Sequence, residues 1–352
     1  MEAIVKKLNT MAEKVLSNNK GKPFSLTIHS PKYHLDYTYP SNSDKVHFHI
    51  ASISKLITTT ALLKLVEEGL CQLEDPLVKY LDPKRLEGLF LSPVETITIA
   101  DCLTHRSGAA DYFEGKDKTG KPFLDIVVKS PDTYWSQDSI LDFAKYNLKP
   151  LSFKGEKFAY GDTAFLCVMM VIEKITGLAL PQALEKIIFK PLDMKNSQAM
   201  IYTYDKGKAL SPLPIYIGDV DVRQFNSLSC DQADGGIVST PLDLILFQKA
   251  LHNGFINSNH LQMMQNWQGK FRAGIHYGMG MMQIRFEEFF FLMRNYPRLV
   301  GHIGVLSTHA YYDAENDVYY VLNFGSTKNM TKSFTFLSQL VGYLTPTLKK
   351  LG

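Results

Sequence analysis

Apolar positions in the first residues recur at helical spacing. Ile4, Val5, Leu8, Met11, Val15 and Leu16 share one side of a helix predicted over Ala3–Leu16. Two strand-like runs follow, Phe24–His29 and Tyr33–Tyr39, and Ser30-Pro31-Lys32 between them makes a hairpin pattern. Ile53–Glu68 reads as a helix closed by Gly69. From about residue 75 to 265 the pattern is mainly helical, broken by polar loops. Leu166–Thr176 is apolar nearly all round, as a core helix is, and Gly177 caps it. Thr240-Pro241-Leu242-Asp243 opens another helix, which Gly254 ends. Beyond residue 275 strand character returns. Met281–Phe286, Phe289–Arg294, His302–Tyr311 and Val318–Phe324 are predicted strands, the last two joined as a hairpin through Asp313–Asp317. Lys332–Lys349 is predicted as a closing helix.

Strand-rich ends around a helical middle imply an α+β fold. The expected architecture is an antiparallel sheet of about five or more strands, flanked by N- and C-terminal helices, with an all-helical domain inserted. Residues 1–78 and 265–352 would form the sheet domain and residues 79–264 the helical one, with an active site where they meet. There is no internal repeat.

Composition narrows the function. Of 352 residues, 45% are hydrophobic and 21% charged, which excludes disorder over most of the length. Lys plus Arg minus Asp plus Glu is 38 − 35 = +3, with basic residues scattered, so no nucleic-acid footprint is present. The longest apolar run, Phe165–Ile172, is far short of a membrane span. Cys71, Cys102, Cys167 and Cys230 lack metal-ligand spacing and read as free buried thiols. The N-terminal residues carry charges throughout and do not form a secretory signal. A cytoplasmic protein is expected as written, or a periplasmic or exported one if a signal has been removed.

Several chemical motifs fail. Gly115–Lys121 nearly spells a phosphate-binding loop, but Pro122 follows, with neither a hydroxyl for magnesium nor an N–H for phosphate. Tyr277-Gly278-Met279-Gly280 lacks the third glycine of a dinucleotide fingerprint. There is no His-Glu-x-x-His, no Cys-x-x-Cys and no Gly-x-Ser-x-Gly. No cofactor is implied.

Ser-x-x-Lys occurs twice. Ser17–Lys20 lies in a polar stretch that looks like a helix end. Ser52–Lys55 opens an apolar helix, where residues three apart share one face and the amine can reach the hydroxyl. Burial and the helix N-terminus both disfavour an ammonium there. A neutral amine can take the serine proton and make the hydroxyl a nucleophile. The same spacing also suits a capping serine beside a lysine that reaches to water.

The surroundings decide between these. Phe48-His49-Ile50-Ala51-Ser52-Ile53-Ser54-Lys55, Leu65-Val66-Glu67-Glu68-Gly69 and Leu73-Glu74-Asp75-Pro76 resemble the serine β-lactamase and penicillin-binding-protein superfamily. The branch that looks nearest holds class C β-lactamases, D-alanyl-D-alanine carboxypeptidases and related esterases. Thr96–Asp101 leading into Cys102-Leu103-Thr104-His105-Arg106-Ser107-Gly108 is similar to that family's helix-and-turn segment, read as structural packing. Phe158-Ala159-Tyr160-Gly161-Asp162 resembles its Tyr-x-Asn motif. Asp234-Gly235-Gly236-Ile237-Val238-Ser239-Thr240 resembles its turn before a helix, and Gly301-His302-Ile303-Gly304 its third motif, His-x-Gly in many relatives. Lys118-Thr119-Gly120 spells the other form of that motif but precedes Tyr160 in a polar loop and is rejected.

The resemblance implies a serine hydrolase acting through an acyl-enzyme on an ester, amide or β-lactam carbonyl, with a small-molecule or peptide-like substrate. Ser52 would be the nucleophile, and Lys55 and Tyr160 would share the proton. The N–H groups of Ser52 and Val305 would hold the oxyanion. His302 would hydrogen-bond substrate or Tyr160, and Gly304 would let an edge strand approach substrate. Asp162 departs from the pattern, because asparagine donates and ionised aspartate only accepts. It can pair with Lys55 and favour the ammonium, or favour a substrate carrying an amine; either disfavours β-lactams. The alternative is a catalytically silent binding or scaffold relative.

Overall fold

A computed structural model describes residues 1–199, 212–232 and 235–351. Its centre is an eight-stranded antiparallel sheet. Two strands come from the N-terminal end, β1 (Ser25–Ser30) and β2 (Leu35–Tyr39). Six come from the C-terminal end: β3 (Gly269–Arg272), β4 (Ile275–Tyr277), β5 (Met282–Ile284), β6 (Leu299–Gly304), β7 (Thr308–Asp313) and β8 (Val318–Asn323). Their order is β2-β1-β8-β7-β6-β5-β4-β3, so β1 pairing with β8 joins the two ends of the chain.

Side-chain alternation splits the sheet into two faces. Val318, Tyr320 and Leu322 of β8 point into a core with α1 (Glu2–Ser17) and the C-terminal helix; Tyr319 and Val321 point into the opposite core. Ile4, Leu8, Ala12 and Val15 are the buried stripe of α1, as its periodicity requires. On the second face lie α2 (Ser54–Glu67), α3 (Asp162–Thr176) and α4 (Pro241–His252). Gly177, in the left-handed region, ends α3, and the Thr240 hydroxyl accepts from the Asp243 N–H to cap α4. The last helix, α5, runs Met330–Leu348.

Three sequence expectations need correction. Phe289–Arg294 is not a strand but a pair of tight turns, closed by bonds such as Phe289 N–H to Phe286 O and Arg294 N–H to Phe291 O. Its apolar run has no alternation, and Phe291 and Leu292 are exposed. His302–Tyr311 is two strands, because the chain reverses at Val305–Ser307 with Ser307 at φ +59° and its N–H on Gly304 O. Finally, the strand carrying Gly301–Gly304 is not a sheet edge: β6 pairs with β7 on one side and β5 on the other. The pairing with β5 stops at Gly301, however, so His302–Gly304 behave locally as an edge.

The helical region also carries short strands. Ile237–Ser239 pairs with Phe48–His49 and with Gln198–Ala199. That pairing fixes the chain immediately before Ser52. Asp234, at the head of the predicted turn, lies outside the described residues. The four cysteines are free and buried. The Asp117–Lys121 stretch is an exposed turn in which the Asp117 carboxylate accepts from the Thr119 and Lys121 N–H groups. Among the described residues no single helix is long and apolar enough to cross a membrane. One bent pair, Asp162–Thr176 with Leu180–Phe189, passes by length and composition, but α3 is core.

Candidate active site

Ser52 sits in a single tight turn, Ala51–Ile53, that leads directly into α2. The turn is strained: Ala51 has φ +50°, a conformation that costs a residue with a Cβ about 1–2 kcal/mol. Two bonds hold it. Ile50 N–H donates to Ile237 O at 3.0 Å, and Ala51 N–H donates to His49 Nδ1 at 3.2 Å. His49 is buried, which pushes its pKa down to about 4 and keeps Nδ1 free to accept. The nucleophile candidate is therefore presented by a constrained corner.

Lys55, one turn on, has no exposed surface. Its Nζ lies 3.2 Å from Ser52 Oγ and 2.5 Å from Asp162 Oδ1. Tyr160 and Phe165 place their rings 5.1 and 5.6 Å from the same nitrogen. Asp162 begins α3, where the helix dipole favours a carboxylate. Of the two roles expected for Asp162, pairing with Lys55 is the one the structure displays. Pairing with a carboxylate favours the ammonium, whereas burial favours the neutral amine, so the two act on Lys55 in opposite directions.

Ser52 and Tyr160 line a narrow cleft together with Glu114, Ile303, Gly304 and Val305. One wall is thus helical-region chain and the other is β6 and its turn. Gly304 is needed at this wall: a Cβ there would stand 2.7 Å from Ala51 Cβ and 2.7 Å from Ile50 O. The Thr308 hydroxyl donates to that same Ile50 carbonyl at 3.1 Å. So Gly304 lets β6 press against the Ser52 corner, a tighter constraint than approach to substrate alone.

His302 does not reach the cleft. It is wholly buried, and its Nδ1–H donates to the Ile303 carbonyl at 2.7 Å. Its ring stands 6.3 Å from Tyr160 and 5.9 Å from Tyr277, behind the tyrosine. Burial, then the Lys55 charge, pushes its pKa down to about 3. Of the two partners expected for His302, substrate or Tyr160, it lies near the tyrosine and off the cleft wall.

His105, taken from the sequence as packing alone, supports Tyr160 directly. Its ring is 4.4 Å from the Tyr160 ring. Its carbonyl accepts from the Ala159 N–H at 2.9 Å and its Nδ1 from the Gly161 N–H at 3.3 Å. The Thr98–Asp101 capping box and the left-handed His105 (φ +54°) deliver the ring there. The sequence signal was the Thr-His-Arg-Ser-Gly turn, but nothing local connects it to residue 160.

Three more carboxyl groups surround the pair and were also missed. Asp111 accepts from the Asp162 N–H at 3.1 Å and from the Phe113 N–H at 2.9 Å. Burial and the Asp162 charge push its pKa up to about 7. Glu114, on the cleft, and buried Asp231, 3.6 Å from His49, are raised by burial and by Asp162 in the same way. Carboxyl groups therefore crowd the nucleophile, and burial favours the neutral, protonated forms of Asp111 and Asp231 beside the Asp162 carboxylate.

The family profile described as Beta-lactamase matches residues 30–332. The chain belongs to this family of hydrolases. Among curated relatives it is 26% identical to the putative penicillin-binding protein PbpX of Bacillus subtilis over 255 residues, 69% of this chain and 55% of that one. It is 28% identical to the D-alanyl-D-alanine-carboxypeptidase/endopeptidase AmpH of Escherichia coli over 224 residues, 61% of this chain and 52% of that one. The chain spans about half the length of these relatives. Among solved structures, the β-lactamase-family fold is shared with the D-amino acid amidase of Ochrobactrum anthropi SV3, at TM-score 0.78 and 21% identity, covering 97% of this chain and 99% of that one. It is shared also with EstCE1, a hydrolase with promiscuous acyltransferase activity, at TM-score 0.72 and 17% identity over 97% and 98%.

Proposed function

We propose that the protein is a serine hydrolase that cleaves ester or amide carbonyls through an acyl-enzyme on Ser52. The observation that carries this reading is Ser52 Oγ on the cleft wall, 3.2 Å from a lysine nitrogen that is itself buried. Ser52 Oγ attacks the carbonyl carbon, and its proton passes to the Lys55–Tyr160 pair. That pair returns a proton to the departing alcohol or amine as the carbonyl–leaving-group bond breaks. Water then repeats the sequence on the acyl-serine. The proton is shared between Lys55 and Tyr160, and the Asp162 carboxylate 2.5 Å from Nζ stabilises the ammonium once it forms.

The oxyanion falls to the N–H groups of Ser52 and Val305, which the close packing at Gly304 supports; each such donor is typically worth about 10²–10³ in rate. The Asp162 carboxylate beside Lys55 and Glu114 on the cleft wall favour a substrate with a protonated amine near its carbonyl over an anionic β-lactam. The amidase and carboxypeptidase names among the relatives agree with an amide or peptide-like substrate.

The test is covalent labelling with a fluorophosphonate and with a fluorescent penicillin, from neutral to alkaline pH. Fluorophosphonate labelling of the wild type that disappears in Ser52→Ala is the expected result. No labelling by either probe at any pH would instead identify a catalytically silent relative.

A further inference from the structure

The cleft does not end at Ser52. Arg272, Met330 and Phe334 line it, and the same three residues line a second, larger groove of about 1010 Å³. That groove runs away from the nucleophile, between the turns at residues 286–293 and the first half of α5. Ile275, Phe286, Phe289 and Met293 make most of its apolar surface. Gly274, at φ +71°, leaves room for Phe289, since a Cβ there would come within 2.6 Å of the phenyl ring. At the outer lip Phe290, Phe291 and Leu292 are 51%, 64% and 62% exposed in succession. Together with Phe289, which is 45% exposed, they make a run of four large apolar residues facing solvent at the groove's edge.

We propose that this groove holds the apolar arm of the substrate, so that the preferred substrates are amphiphiles: esters or amides with a long alkyl or aryl-alkyl chain. The proposal rests on Ser52 being the nucleophile. The occupant is argued from continuity: a chain attached to a carbonyl at Ser52 that runs past Phe334 and Met330, which line both the cleft and the groove, enters the groove along α5. The groove's apolar walls would desolvate such a chain. Thr335, Ser338 and Gln339 mark successive positions along the groove, and the helix rise of about 1.5 Å per residue turns them into a ruler.

The experiment is a p-nitrophenyl ester series from acetate to dodecanoate, below the micelle threshold. For the wild type, kcat/KM is expected to rise by about fourfold per added CH₂ that enters the groove. Thr335→Trp, at an exposed position, should end that rise at a shorter chain than Gln339→Trp does. A flat or falling series in the wild type, or an unchanged rise in both tryptophan variants, overturns the proposal. Binding of a dansyl-labelled decanoate probe is measured in parallel and does not need turnover. If no ester is cleaved and Ser52 is not labelled, the catalytic reading has failed; probe binding lost in Thr335→Trp then still supports the groove, and absence of binding rejects it. Chain-length-independent dimerisation, or binding to phosphatidylcholine vesicles without a chain-length effect on hydrolysis, would assign Phe289–Leu292 to another occupant and reject the substrate arm.

Discussion

The same four-residue pattern occurs at Ser17–Lys20 and Ser52–Lys55, and the fold treats the two in opposite ways. Ser17 is the last residue of α1; its hydroxyl turns back to the Lys14 carbonyl at 3.1 Å in solvent. Lys20 lies past the helix end, exposed, with φ +51°. Ser52 stands at a helix beginning, so Lys55 falls on the next turn and reaches it. Spacing alone therefore does nothing. The lysine meets the serine only when the helix starts at the serine, and it is chemically altered only when the rest of the fold buries it and supplies charges.

The largest difference between the pairs should appear on removing each lysine. Lys55→Met takes away a proton carrier and is expected to lower ester hydrolysis by about 10²–10⁴. It also leaves the Asp162 carboxylate buried without its cation, which should cost about 3–5 kcal/mol in urea unfolding. Adding Asp162→Leu should restore much of the stability and none of the activity. Lys20→Met, in water, should stay within about 0.5 kcal/mol and leave hydrolysis unchanged. A Lys55→Met protein that hydrolyses esters at the wild-type rate would remove the lysine from the mechanism.

That contrast also marks what could be read from the chain. Helices α1, α3 and α5 were legible because their apolar stripes are long and periodic and glycine ends α3. Strands β3 and β4 were not: they are short, and Lys270, Arg272 and His276 interrupt their apolar pattern. The β6–β7 reversal carries no proline, asparagine or glycine at Val305–Ser307, so two strands read as one. At the site, Ser52 and Lys55 were legible because they are local to one helix. His105, Asp111 and Asp231 were not, since each acts across 50 residues or more of sequence, through contacts with residues 49, 160, 161 and 162. No periodicity encodes a meeting of that kind.

A smaller effect separates the carboxylate from its amide counterpart. Asp162→Asn gives a side chain that can donate to a substrate carbonyl, and it releases Lys55 from a full negative charge. Acylation by nitrocefin is expected to rise by about tenfold, the equivalent of about 1.4 kcal/mol. A stopped-flow trace that shows the rate unchanged or lower would mean that Asp162 is not what limits β-lactams.

An effect on stability alone lies in the acid cluster, which Lys20 lacks altogether. The Asp111 pKa is pushed up to about 7, first by burial and then by the Asp162 charge, from an ordinary value of 3.8. With the folded value above the unfolded one, the protonated carboxyl is the form that the fold prefers. Its favourable contribution is complete below about pH 4 and is lost as pH rises through about 7. Wild-type stability should therefore decline between pH 5 and pH 8 by about 1–2 kcal/mol more than that of Asp111→Asn. The variant keeps an acceptor for the Phe113 and Asp162 N–H groups and gives up the 3.1 Å bond from the Glu114 N–H. That loss does not depend on pH, so the slope, not the absolute stability, is the quantity to compare. Parallel slopes from urea midpoints at the two pH values would mean that the cluster holds its protons elsewhere, and that Lys55 is paired with a more fully ionised surrounding than the crowding of four carboxyl groups implies.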